Sequence, residues 1–346
     1  MSVKQIISLV TLGLVALILI LSRHELGKAW DLLGKVNLWV LALAIPLMLF
    51  TFFAAGEMMF SYLRAKGGMK KIPMWERARM AMELNFVNHT LPSGGVSGIS
   101  YMTWRLGKLG VTPGKATSAQ VVRYVAGFIA AAVLIAISVL MVTIDGAINR
   151  WTILVSCGIV TFMIVSTIGL IFLVSSRARM HAFAQWVSSL VNRVTKKVTR
   201  GKKRVLVREE KVYAFFEDIH DDYAELKTDY RVLLKPVLWA IAFTIADASL
   251  FLVTFFALGS PVNPAPILIA YVLASVAGFI VVTPGGAGVY EAIMVGFLAT
   301  AGVSSSASLA AIVLTRVIIL VVTIAVGYLF YEDALRRYGS RPTAER

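Results

Sequence analysis

The sequence predicts an all-α polytopic membrane protein. It should have about six full transmembrane helices and two re-entrant helical hairpins, laid out as an inverted repeat. Three observations predict this. Hydrophobic types fill 58% of the 346 residues and charged types 15%, with a mean hydropathy of +0.78. A soluble domain carries roughly 45–50% apolar and about 25% charged residues. The chain holds several apolar runs of about 20 residues, the length that crosses a bilayer as a helix. Two further stretches each carry a proline followed by paired glycines, which no continuous helix accommodates. The single cysteine, Cys157, excludes an intrachain disulfide framework and a multi-cysteine metal site.

The first span is residues 6–21. It is long for a signal peptide, and Ser22-Arg23-His24-Glu25 offers no small-x-small cleavage site, so it reads as a retained helix. The second span, 38–63, has Glu57 deep inside it and is followed by a basic loop over 64–79. The stretch 81–110 breaks at Pro92-Ser93-Gly94-Gly95. Each apolar half is too short to span, whereas two half-helices meeting at the break keep their backbone groups satisfied. The third span, 116–143, carries Arg123, and the fourth covers 151–174.

Residues 175–235 read as a basic amphipathic cytoplasmic insertion. Phe183, Trp186, Leu190 and Val194 recur at roughly helical spacing among the cations of 177–204, the pattern of a helix lying on a membrane surface. A mixed-charge helix over 209–231 follows. The fifth span, 237–258, has Asp247 at its centre. The stretch 264–302 breaks at Thr283-Pro284-Gly285-Gly286-Ala287-Gly288, and the last span, 307–331, holds Arg316.

The formal net charge is +15. With the broken stretches re-entrant, the loops 64–79, 105–115, 177–235 and 336–346 fall on one side. The loops near Gly259 and Gly302 carry no Lys or Arg and fall on the other. Only the mixed-charge loop 23–35 fits less well. The positive-inside rule then makes both termini cytoplasmic in a multi-pass plasma-membrane protein. The charge orients the chain and holds it near anionic lipid; it is not a nucleic-acid footprint.

The two breaks sit in matching contexts. Glu57 lies 38 residues before Gly95, and Asp247 lies 39 before Gly286. Arg123 follows Gly95 by 28, and Arg316 follows Gly286 by 30. Repeat one covers about 37–143 and repeat two about 236–331. Three crossings separate the breaks, and an odd number places them on opposite sides. Inverted repeats with broken helices at the mid-membrane are a sequence signature of transporters.

The string Thr283 to Glu291 (T-P-G-G-x-G-x-x-E), the earlier Leu91 to Gly95 (L-P-S-G-G) and the arginine in each following helix resemble the flippase-like transmembrane domain of lysylphosphatidylglycerol synthases. The resemblance covers nearly the whole chain, 1–346, as a single membrane domain. It implies transbilayer movement of a phospholipid or a polyprenyl-phosphate-type lipid, and no enzymatic activity. The aminoacyltransferase domain of the two-part synthases has no counterpart after Arg316.

Two other readings stay open. One is a secondary transporter of a small soluble anion. The other is a non-transporting scaffold for a cytoplasmic lipid-modifying enzyme docked on the insertion.

Arg316 and Arg123 are the first candidates for headgroup binding, because a guanidinium grips phosphate bidentately and is costly to leave unpaired in a membrane. The alternative is structural pairing with Glu57, Asp247 or Glu291, or snorkelling in the case of Arg123. At the breaks, Gly94, Gly95, Gly285, Gly286 and Gly288 expose N–H groups of a following helix N-terminus, an anion site; otherwise they serve only the turn and close packing. Ser93 and Thr283 donate hydroxyls or cap. Glu291 complements the dipole of the second short helix or acts as a counter-charge. Glu57 and Asp247 are candidates for charge balance or protonation, and Asn85 and Asn88 line the first break. No cofactor is expected: G-x-S-x-G, G-x-G-x-x-G and P-loop patterns all fail, and the four histidines show no ligand spacing.

Overall fold

The protein is described by a computed structural model over residues 13, 20, 23–90, 96–144, 150–183, 185–186, 189, 219–221, 223–224, 228–280 and 288–339. Both glycine breaks and nearly all of the predicted first span lie outside the described residues, as does most of the insertion. Among the described residues the chain is helical, with no strand. In order come α1 (Arg23–Leu33), α2 (Leu38–Ala42), α3 (Ala44–Ala65), α4 (Met74–Thr90), α5 (Val96–Gly107), α6 (Pro113–Ile144) and α7 (Arg150–Val174). After the insertion come α8 (Leu234–Ala257), α9 (Pro264–Ile280), α10 (Val289–Thr300), α11 (Ser305–Val322) and α12 (Tyr328–Tyr338). A π-helical segment, Thr323–Gly327, joins the last two.

Five helices among the described residues are long and apolar enough to cross a membrane: Leu38–Ala65, Pro113–Thr143, Ile153–Val174, Tyr230–Ala257 and Ser305–Tyr338. They coincide with spans two to six of the sequence reading. The pieces flanking the breaks are short. α4 and α9 have 17 residues each, and α5 and α10 have 12 each.

Local signals explain the boundaries. Asn37 accepts the N–H groups of Trp39 and Val40 at 3.0 and 3.3 Å and so caps α2. Pro113 and Pro264 open α6 and α9, where a missing N–H costs nothing. Gly259 and Gly302 take positive φ in the turns after α8 and α10.

The α3 and α8 helices form the most extensive pair, and α6 also packs on both. The hairpin α4–α5 lies on α3, α6 and the π segment, while α9–α10 lies on α6, α8 and α11. Close approach depends on glycine at two points. A Cβ at Gly56 would sit 2.7 Å from Ala81 Cβ, and one at Gly327 would sit 2.6 Å from Phe86 Cβ. The α7 helix stands at the edge and exposes Leu154, Phe162, Val165, Ile168 and Phe172, as a lipid-facing helix does. The insertion returns to its end: His220 Nδ1 lies 2.7 Å from the Val174 carbonyl, and Arg177 pairs with Asp221 at 2.9 Å.

One expectation is corrected. Arg77, Arg79 and Arg105 do not lie in basic loops. They belong to α4 and α5, and Arg105 is wholly buried. The reason is tertiary: the basic ends of both half-helices are packed and carry their own carboxylate partners.

Candidate functional site

Arg316 projects from the middle of α11, and its guanidinium pairs with Glu291 on α10. It also lies 5.0 Å from the centroid of the Tyr290 ring. Glu291 is the third residue of its helix. Its other oxygen accepts the Gly288 N–H at 2.7 Å, and Gly288 holds φ +87°. One carboxylate therefore occupies the positive end of α10 and the arginine together. A phosphate arriving here would compete with Glu291 for Arg316, and a cationic group would find Glu291.

Polar groups from other helices surround this pair. Asp247 on α8 and Tyr271 on α9 lie close enough to interact electrostatically. Ser275 on α9 lies near both Tyr271 and Tyr290. His89, at the end of α4, lies within electrostatic range of Arg316. One residue of the first broken stretch thus comes within electrostatic range of Arg316, which follows the second.

The remaining predicted residues divide. Glu57 is buried, but its partners are Arg64 at 2.5 Å and Arg77 at 2.7 Å, not Arg123 or Arg316. It fastens α3 to the start of α4. Arg123 has no ion-pair partner among the described residues. Asn85 returns its amide to the Ala81 carbonyl at 2.8 Å. The Asn88 side chain presses on α5 where Gly98 leaves room, since a Cβ there would lie 2.0 Å from Asn88 Oδ1. That Oδ1 is buried and has no hydrogen-bond partner among the described residues, and Thr90 Oγ1 is alike. Ser93, Gly94, Gly95, Thr283, Gly285 and Gly286 lie outside the described residues.

Sequence reasoning missed a second charged cluster, in the first hairpin. Arg105 on α5 donates from Nε to Glu83 at 3.2 Å and also pairs with Glu76, both on α4. Tyr101 donates its hydroxyl to Glu83 at 2.9 Å. The Tyr338 ring of α12 lies 4.2 Å from the Arg105 guanidinium. Glu76 and Glu83 are seven residues apart, two turns of one helix face, and that spacing was the available signal.

No group of three or more His, Cys, Asp or Glu among the described residues could hold a metal ion. No curated protein matches the chain. Residues 5–327 match the family described as the lysylphosphatidylglycerol synthase TM region. The chain belongs to the lysylphosphatidylglycerol synthase transmembrane-region family, a membrane family linked to lipid handling.

Proposed function

We propose that this protein moves a lipid headgroup across the bilayer, as a flippase or scramblase, and that Arg316 grips the headgroup phosphate. The substrate class is a phospholipid or a polyprenyl-phosphate-type lipid. The observation that carries the reading is the Arg316–Glu291 pair beside the second break, with His89 of the first broken stretch within electrostatic range of Arg316. A guanidinium costs at least about 2.5–3.5 kcal/mol at the centre of a membrane helix. A carboxylate that also caps α10 is a partner a phosphate can replace.

In this reading the headgroup enters between the two repeats, about 37–143 and 236–331, which are inverted. Its phosphate displaces Glu291 from Arg316, and the freed carboxylate meets a cationic headgroup group or returns to the α10 N-terminus. Asp247, Tyr271 and Ser275 supply further polar contacts, while the acyl chains stay in lipid. Rocking of one repeat against the other carries the head across. Both termini are cytoplasmic, and the basic insertion rests on the anionic inner leaflet.

The test is headgroup-specific flipping of labelled phospholipids and a labelled polyprenyl phosphate in proteoliposomes. Flipping above protein-free vesicles that is lost in Arg316→Gln supports the reading. No flipping of any headgroup, with or without a pH gradient, overturns it. Uptake of a soluble anion without lipid movement would point to a transporter of small anions instead.

A further inference from the structure

The cluster in the α4–α5 hairpin is not used by the headgroup site. Its charges do not balance. One guanidinium, Arg105, is shared between two carboxylates, Glu76 and Glu83. Arg79, the next cation on the same face of α4, is turned to Asp333 of α12, which also takes Arg337. The cations nearer the start of the hairpin, Arg64 and Arg77, are held by Glu57. Among the described residues the other neighbours of the cluster are neutral: the Tyr101 hydroxyl on Glu83, the Tyr331 ring against Tyr101 and the Tyr338 ring over Arg105.

Burial makes the imbalance costly. Glu83 and Arg105 are both 0% exposed. Glu83 Oε1 has no hydrogen-bond partner among the described residues, and neither does Arg105 Nη1. A carboxylate so placed has one oxygen unsolvated and half a counter-ion, the condition in which a carboxyl takes up a proton. Glu76 is different: 21% of its side chain is exposed, at the end of the hairpin beside the loop 66–73, so the cluster opens to the surface there. A metal ion suits the place poorly, because the buried Arg105 guanidinium repels it.

We propose that Glu83 is a proton-binding site, loaded from the Glu76 side, and that its protonation loosens the α4–α5 hairpin. The carboxylate takes one proton from water and becomes a neutral carboxyl. Arg105 then keeps only Glu76 as a charged partner, and the charge-assisted bond from α5 to the middle of α4 is lost. Thr90 lies seven residues beyond Glu83 on the same face, about 10 Å along the helix and next to the first break. The hairpin that carries the break is thus the body whose grip depends on pH. A link to lipid movement rests on the translocation reading; the proton site itself does not.

The test is infrared difference spectroscopy of the full chain in nanodiscs during an acid titration, without added substrate. Wild type should gain a protonated-carboxyl band that is absent in Glu83→Gln and kept in Glu57→Gln. Tyr101→Phe removes the hydroxyl that favours the charged form. Its band should therefore appear about one to two pH units higher. If Glu83→Gln fails to fold, the Tyr101→Phe shift decides alone. A full band in folded Glu83→Gln, or an unmoved midpoint in Tyr101→Phe, overturns the proposal. Because no lipid transport is read, either result leaves the translocation reading standing. Conversely, absent flipping with these shifts intact removes that reading and spares the proton site.

Discussion

Arg316 and Glu291 are each other's counter-ions, so single and double substitutions separate a structural role from headgroup binding. Glutamine suits both positions. At 291 it keeps an acceptor for the Gly288 N–H, now 2.7 Å from the carboxylate, so the α10 cap survives. Either single change removes one half of this ion pair. Breaking a fully buried pair costs roughly 3–5 kcal/mol. Here the side chains are 18% and 12% exposed, and solvent screening reduces the expected loss to about 2–3 kcal/mol. Arg316→Gln/Glu291→Gln carries no stranded charge and should lose less than the sum of the singles, with a coupling of about 1–3 kcal/mol.

Stability is read as the denaturation midpoint in detergent, and function as flipping per folded protein. Losing a charged hydrogen bond to phosphate weakens headgroup binding by about 10- to 100-fold, so both Arg316→Gln and the double variant should be slow. The double variant therefore regains stability but not flipping. If it regains both, Arg316 serves only Glu291, and the headgroup role is refuted.

Three other predictions follow from the packing. Gly327→Ala places a Cβ 2.6 Å from Phe86 Cβ, an overlap that costs about 1–3 kcal/mol before the gain in helix propensity. Gly296→Ala, with nothing within 4 Å, should be neutral or stabilising by up to about 1 kcal/mol, and paired denaturation curves check the contrast. Glu57→Gln strands Arg64 and Arg77 and should lower stability by about 2–4 kcal/mol while leaving the flipping rate per folded molecule near wild type. In a Cys157→Ser background, Gly94→Cys and Gly285→Cys should label from opposite sides of the membrane; labelling from one side contradicts the inverted repeat.

Much of the fold was legible because membrane helices announce themselves by length and hydropathy. The five described spans fall where the apolar runs do. Glu291 was legible too, since an acid three positions into a helix has a defined electrostatic use. The partners of Glu57 were not. A buried acid in a span invites pairing with a buried arginine, yet Arg64 is two turns away on its own helix and Arg77 starts the next. Arg105 was harder still. By composition the basic end of a re-entrant helix looks like a loop, and its ties to Glu83 and Glu76 cross 22 and 29 residues. The Arg79–Asp333 pair crosses 254. Such pairings depend on how half-helices stack, which no local pattern encodes.

The central claim is that a lipid headgroup crosses the bilayer by way of Arg316. Its most direct measurement is the flipping rate of labelled lipids in proteoliposomes bearing wild type, Arg316→Gln or Arg316→Lys. Wild type should flip at least one phosphate-bearing lipid well above protein-free vesicles. Arg316→Lys should retain part of that rate, because an ammonium keeps the charge but loses the bidentate fork, and Arg316→Gln should fall about 10- to 100-fold. Equal rates in all three, or no flipping by wild type, would contradict the account.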